Sequence, residues 1–450
     1  METMSLVEKT SDRIRSSIMV KALGIGFIIL LLLIPSSMVS HLVRERKNSY
    51  DSAIREISAK WGQEQTVTGP FITIPFEYTT TQSDGQPSTV IRHAHFMPSK
   101  LSITGKVEPI VRNRSIYKAI LYSTDLEISG SFDKLELEKL NIAPEDLLTE
   151  DAVLCMGISD LRGIKKEVKF SWDQEDAVAS PGVPVHDVIT SGVNIPLRIS
   201  EEEIANSHDF KVSLSLNGSS VLDFVPVGKT TEVNITSPWA SPSFDGAFLP
   251  VERSITEKGF DAHWSVLEHN RNFPQQWVDR GYTQNSQFGF KMIIPVDFYQ
   301  TVTRSVKYAM LFIVLTFATF FTIEILKEYR VHPIQYILIG LALILFYSLL
   351  LSFSERIGFG HAYFVASSGI VLMISLYSLT ITGKKFFAGL IGAVLGGLYG
   401  FLYLLLQLED NALLLGSVGL FVVLATFMFI TRNIDWYQIG RRAPMPEDEL

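Results

Sequence analysis

Six stretches of about 20 apolar residues decide what this chain can become, because a hydrocarbon core about 30 Å thick takes that length of helix to cross. They run over residues 21–40, 306–326, 333–352, 362–382, 386–407 and 411–430. Five lie in the last third of the 450 residues, and a polar insertion separates the first from the second. The pattern predicts an α+β membrane protein. One N-terminal transmembrane helix precedes a large β domain, and a bundle of five transmembrane helices follows it.

Orientation follows from Lys and Arg in the short loops, which stay on the inner side. Lys327 and Arg330, then Lys384 and Lys385, then Arg432, Arg441 and Arg442 mark alternate connections. Lys9, Arg13, Arg15 and Lys21 precede the first span, whereas the opposite loops hold Arg356 in one case and Glu409 and Asp410 in the other. Residues 1–20 and 431–450 are therefore expected in the cytoplasm and the insertion outside it. Arg44, Arg46 and Lys47 oppose this assignment and are outvoted by the later loops. The first span reads as an uncleaved anchor, since Met38 and Val39 stand where a signal-peptide cleavage site needs small residues.

Residues 41–65 continue as a helical stalk, with Tyr50, Ile54, Ile57 and Trp61 on one face. Period-two alternation then takes over, as in KVSLSL (211–216), and turn-forming residues break short Ile/Val/Thr-rich runs through residues 66–305. This is a sandwich-like all-β pattern. Asn217-Gly218 carries a hairpin turn signal. A linker-like segment at 173–187 and weak repeats across it suggest a division into two subdomains. The repeats pair Leu126–Ser131 with Leu214–Ser219, and Ile72–Tyr78 with Met292–Phe298. The prolines of the second pair point to edge strands.

The net charge of −8 excludes a basic nucleic-acid footprint. Cys155 is the single cysteine, so neither a disulfide framework nor a Cys-based metal cluster is expected. Gly228-Lys229-Thr230 ends like a phosphate-binding loop, but Asp223 stands where the first glycine belongs. His93 and His95 share one strand face and are metal-ligand types; no carboxylate lies at ligand spacing nearby, which favours two surface histidines. His263 and His269 also lack a third partner. No metal or other cofactor is expected.

The spans are nearly free of ionisable groups, which argues against ion-coupled transport. Glu324 is their sole carboxylate, near the inner end. Gly392, Gly396 and Gly400 line one helix face and suit close helix packing, inside the bundle in preference to a homo-oligomer interface. Ser352, Ser354, Glu355 and His361 gather at an outer-surface polar turn between two spans. A membrane-surface hydrolase would have to use these four. Turns between helices collect such residues for capping alone, and that reading is preferred.

The motifs carry a further signal. HPIQYILIGLALILFYSLLLSFSERIGF (332–359) and RSVKYAMLFIVLTFATFFTIEIL (304–326) closely resemble signatures of the CreD family, the cell envelope integrity proteins. GPFITIP, NRSIYKAILY, ISDLRGI, LNGSS, PVGKTTEV, SPWASPSFDGAFLP and GFDAHWSV resemble further family motifs in order, over about Trp61 to Thr382. Ser115 departs from the glycine more usual in NRSIY. The resemblance implies a bacterial inner-membrane location, a role in envelope integrity and an association with envelope stress. It supplies no catalytic residue and no cofactor.

The expectation is a non-enzymatic envelope protein whose periplasmic domain binds a protein or envelope component. Trp239, Phe244 and Phe248 in the loop 237–250 are the candidate partner contacts, since aromatic residues anchor interfaces. The same rings filling the β core is the competing reading. A membrane-surface enzyme acting on an envelope lipid or glycan, and a transporter, are the alternatives.

Overall fold

The computed structural model describes residues 18–81, 86–200, 203–281, 283, 285–293, 298–327, 331–408 and 412–432. Lys9, Arg13, Arg15, Arg330, Glu409, Asp410, Arg441 and Arg442 lie outside them, as does most of the Met292–Phe298 repeat. The chain divides into a helical unit, residues 1–49 with 296–450, and a β unit, Tyr50–Pro295.

The helical unit begins in α1, Ile18–Trp61, one continuous helix through Pro35. It resumes after the β unit with α2 (Phe298–Lys307), α3 (Ala309–Lys327), α4 (Pro333–Ile357), α5 (Phe359–Thr382), α6 (Lys385–Gln407) and α7 (Ala412–Thr431). Five of these helices are long and apolar enough to cross a membrane, and α2 with α3, bent by 43°, make six if counted as one span. Pro333 starts α4 at a position that needs no N–H, and the His332 side chain accepts from the Ile334 N–H. Buried Glu324 on α3 meets Lys21 of α1 at 2.8 Å, and the Tyr336 hydroxyl of α4 donates to it at 3.2 Å. A carboxylate among apolar helices is tolerable because it is paired and hydrogen-bonded.

The β unit holds two sheets. The first is built on β1 (Gln65–Thr81), β2 (Pro87–Phe96), β5 (Val153–Ile158), β8 (Ser180–Pro181), β9 (Gly192–Pro196), β11 (Val221–Val225), β13 (Pro242–Gly246), β16 (Gln276–Val278) and β17 (Phe288–Met292). The second joins β3 (Lys100–Arg114), β4 (Tyr117–Phe132), β6 (Lys169–Trp172), β7 (Glu175–Val178), β10 (His208–Ser219), β12 (Thr230–Ser237), β14 (Glu252–Thr256) and β15 (Gly259–Leu267). Their order is β13-β17-β11-β1-β5-β9-β8, with β2 and β16 branching from β1, and β14-β15-β12-β3-β4-β10-β6-β7. Most pairs are antiparallel, but β1 with β11 and β3 with β12 are parallel.

One hydrophobic core draws on both sheets and on residues from either side of the segment 173–187. That segment does not part the domain. It supplies β7 to one sheet and β8 to the other. The repeat Leu126–Ser131 with Leu214–Ser219 marks neighbouring strands, since Leu126 lies opposite Leu214 where β4 pairs with β10. Nor is β1 an edge: it pairs with β2, β5 and β11. Pro75 is accommodated because pairing with β5 ends at Thr73. Asn217-Gly218 is likewise no hairpin turn. Both residues continue β10, opposite Ser123 and Tyr122, and the chain turns at Ser220, φ 57°. Gly218 is needed for space, because a Cβ there would collide with the Tyr122 ring.

A polar junction forms where α1 gives way to β1. Gln65 is fully buried. Its amide nitrogen donates to the carbonyls of Asp160 (2.9 Å) and Asn217 (3.1 Å), and its oxygen accepts from the Ser159 hydroxyl and the Asp160 N–H. All four hydrogen-bonding positions are thereby used. The Asp160 carboxylate takes the Arg162 guanidinium at 2.8 and 3.0 Å and the Gln63 N–H at 3.0 Å. The Trp61 indole donates to the Tyr122 carbonyl. Burial alone would raise the Asp160 pKa, but Arg162 and the backbone donors hold it below the usual range. On β11, burial first, then Glu64 and Asp245, push Asp223 up to about 6.

These opposite shifts give opposite pH effects. Asp160→Asn is expected to lower the stability of the detergent-solubilised chain at pH 7 by about 1–3 kcal/mol, the range for leaving a buried hydrogen-bonding group without its partner. The stabilisation from Asp160 is present above the unfolded carboxylate value of about 3.9 and is lost as pH falls through the depressed folded value. Asp223 removes stability as pH rises from about 4 to about 6, so Asp223→Asn raises the melting midpoint at pH 7 and changes it far less at pH 4. Thermal melts followed by circular dichroism at the two pH values check both.

Candidate functional site

The alternation of β2 puts His93 and His95 on one face, and strand pairing decides what they meet. Thr73 of β1 lies opposite His95, and Trp277 of β16 flanks it on the other side. His95 is 1% exposed, not a surface residue as the sequence suggested. Its Nδ1 is 2.9 Å from the Thr73 hydroxyl, its ring centroid is 5.8 Å from that of Trp277, and its Nε2 faces Asp187 Oδ2 at 3.6 Å. His93 Nδ1 is 3.8 Å from the same oxygen. The Asp279 carboxylate accepts from Arg92 at 2.8 Å and from the His93 N–H at 3.3 Å. Single ligand-type atoms of His93, Asp187 and Asp279 all lie within 4.8 Å of one another.

Burial pushes the His95 pKa down to about 4 despite the opposing pull of Asp187. The imidazole is therefore neutral at pH 7, with one ring nitrogen carrying a lone pair. Asp187 and Asp279 were not legible as partners. Asp279 lies 186 residues from His93, and Asp187 closes the linker-like segment. The one signal in the sequence was the two-residue spacing of the histidines. By contrast, both nitrogens of His208 are satisfied, by Asp173 at 2.6 Å and the Glu203 carbonyl at 2.9 Å. His263 bonds Asn234.

The four polar residues between α4 and α5 do not converge. Gly358 alone, at φ 79°, separates the two helices, so Ser352, Ser354 and Glu355 end α4 and His361 begins α5. Ser354 is buried and the Glu355 side chain is 8% exposed, whereas Ser352 and His361 are exposed. Glu355 accepts from the Tyr299 hydroxyl at 3.0 Å and lies 3.9 Å from Arg46. Among the described residues no hydrogen bond or ion pair joins Ser352, Ser354 or Glu355 to His361. Of the glycine stripe, Gly392 packs on Ser375, while Gly396 and Gly400 face open space. Packing within the bundle thus accounts for one of the three.

The loop aromatics turn inward. Phe244 packs edge-on against Phe260 and Trp264 at 5.7 and 5.6 Å, and Phe248 against Phe288 at 5.9 Å. Trp239 is half-buried, and its indole donates to the Ser241 carbonyl. The large apolar side chains exposed here are Leu249, at 62%, and, just past the loop, Val251, at 66%. The buried Cys155 thiol is inert, since burial pushes its pKa up to about 12.

Two comparisons bear on nearly the whole chain. A family model described as "Inner membrane protein CreD" matches residues 17–437. Inner membrane protein CreD of Escherichia coli (strain K12) is 34% identical over 418 residues, which cover 91% of this chain and 91% of that protein.

The packing of the loop has a measurable consequence. Phe244→Ala is expected to destabilise the chain by about 2–4 kcal/mol through the lost ring contacts. Leu249→Ser stays within about 0.5 kcal/mol because it touches solvent. Melting midpoints of the two variants distinguish a core plug from an exposed contact.

Proposed function

The chain belongs to the CreD family of inner membrane proteins, and from that premise we propose that it serves bacterial cell envelope integrity or the envelope-stress response. In this reading the β unit lies in the periplasm and binds a protein or envelope component, and the helices hold it at the membrane. The observation that carries the reading is the placement of the β unit, Tyr50–Pro295, between the first crossing helix and all the others. Counting the bent pair as one span gives six crossings, and the Lys pair at 384–385 then favours the cytoplasmic side for the connection that holds it.

The chemistry of the helices supports a holding role. Glu324 is engaged by Lys21 and Tyr336, and Glu355 by Tyr299 and Arg46. Engaged carboxylates stabilise helix contacts. Ser354 and Glu355 turn inward while Ser352 and His361 turn out, so a hydrolytic site at this hinge has no assembled nucleophile and base. Contact with a partner then falls to the β surface, where Leu249 and Val251 stand exposed.

Buried Cys155 provides a silent background for a topology test. Ser180→Cys on the exposed rim of the β unit and Lys384→Cys in the helix connection are labelled separately in cells with a permeabilised outer membrane, using an impermeant maleimide. Labelling at 180 and protection at 384 until the inner membrane is lysed is the expected outcome. The reverse pattern places the β unit in the cytoplasm and removes the periplasmic reading.

A further inference from the structure

We propose that His93, His95 and Asp187, closed by Asp279, bind a divalent transition-metal ion of the zinc type on the β unit. Zinc takes histidine nitrogen and carboxylate oxygen at roughly 2.0–2.2 Å in a tetrahedron, which sets neighbouring donors about 3.4 Å apart. Asp187 Oδ2 lies 3.6 Å from His95 Nε2 and 3.8 Å from His93 Nδ1. Each histidine thus stands within a few tenths of an ångström of ligand spacing from Asp187, and His95, outside the cluster of the other three, joins it through that shared oxygen. Asp279 is within reach as the fourth, because its ligand atom falls in the same 4.8 Å cluster as those of His93 and Asp187.

An independent observation points to a ligand. His95 is 1% exposed, yet among the described residues its Nε2 has no hydrogen-bond partner. Such an atom is costly unless something else satisfies it. It is aimed at the shared carboxylate of Asp187, where the ion would sit. The other buried histidine of this unit, His208, uses both of its ring nitrogens on protein partners and so needs none.

The surroundings hold the donors as outer partners hold metal ligands. Thr73 fixes the His95 ring through Nδ1, leaving Nε2 for the ion. Arg92 and the His93 N–H orient Asp279, and the Gly281 N–H donates to the Asp187 carbonyl. Two imidazoles suit zinc or a neighbouring transition metal and disfavour calcium and magnesium, which prefer all-oxygen shells. The partly exposed side chains of His93, Asp187 and Asp279 give an ion a way in from solvent.

The test uses the full chain, tag-free, in detergent and stripped with a chelator. Zinc chloride is titrated in calorimetrically, and Co²⁺ is added to a second sample for its visible spectrum. One zinc per chain, an intense tetrahedral cobalt band and a zinc-dependent rise in melting midpoint are expected. His93→Gln and Asp187→Asn each weaken binding by more than the roughly 10–100-fold that losing an outer partner of a ligand costs. His269→Gln on the exposed surface leaves binding unchanged. His93 is partly exposed, so its variant is read even if Asp187→Asn fails to fold. Absence of saturable binding, or binding that survives both substitutions, overturns the proposal.

Discussion

The first helix hands over to the sheets at one residue, and the buried amide of Gln65 holds that junction. Three residues separate the end of α1 at Trp61 from the start of β1 at Gln65. Strand β1 then receives β2, β5 and β11, so its register fixes the first sheet. A fully buried polar side chain is worth having there only if every bond is made, and Gln65 makes all four. Its partners come from Ser159, Asp160 and Asn217, inside two of the motifs that resemble the family's, ISDLRGI and LNGSS, or next to them. Those motifs are far apart in the chain and meet at this junction, which is a physical reason for their residue types.

The helical unit follows the same rule in an apolar setting. Its two buried carboxylates among the described residues find partners on other helices: Glu324 with Lys21 and Tyr336, Glu355 with Tyr299 and Arg46. These contacts tie α1 to α3 and α2 to α4, elements separated by the whole β unit or by intervening helices. Between them the packing is aromatic. Phe346, Tyr363 and Tyr399 interlock, and the Tyr363 hydroxyl donates to the Tyr399 carbonyl at 2.6 Å.

Much of this was legible before the fold. Apolar length gave the spans, and period-two alternation gave strands such as β10, whose burial alternates as the sequence does. Readings that needed long-range pairing failed. Asn217-Gly218 has the composition of a turn, yet Tyr122 on the neighbouring strand requires its glycine for space. A Pro-containing strand suggested an edge, yet the neighbour of β1 ends just short of Pro75. The histidine pair was visible through its spacing, but its carboxylates arrive from the residue after β16 and from the segment before β9, which local sequence cannot place. Trp239, Phe244 and Phe248 have the character of interface anchors and of core residues alike, and only the packing separates the two.

In the function proposed above, the β surface, and not the hinge between α4 and α5, makes the contact that matters. Dye entry through the envelope of a deletion strain, complemented at matched membrane levels, measures it most directly. One variant carries Leu249→Asp with Val251→Asp, and the other carries Ser352→Ala with His361→Ala, which leaves the Glu355 contacts in place. The account predicts that the hinge variant restores the barrier and the β-surface variant does not. Rescue by the β-surface variant with failure of the hinge variant would contradict it and return the hinge to consideration as an active site.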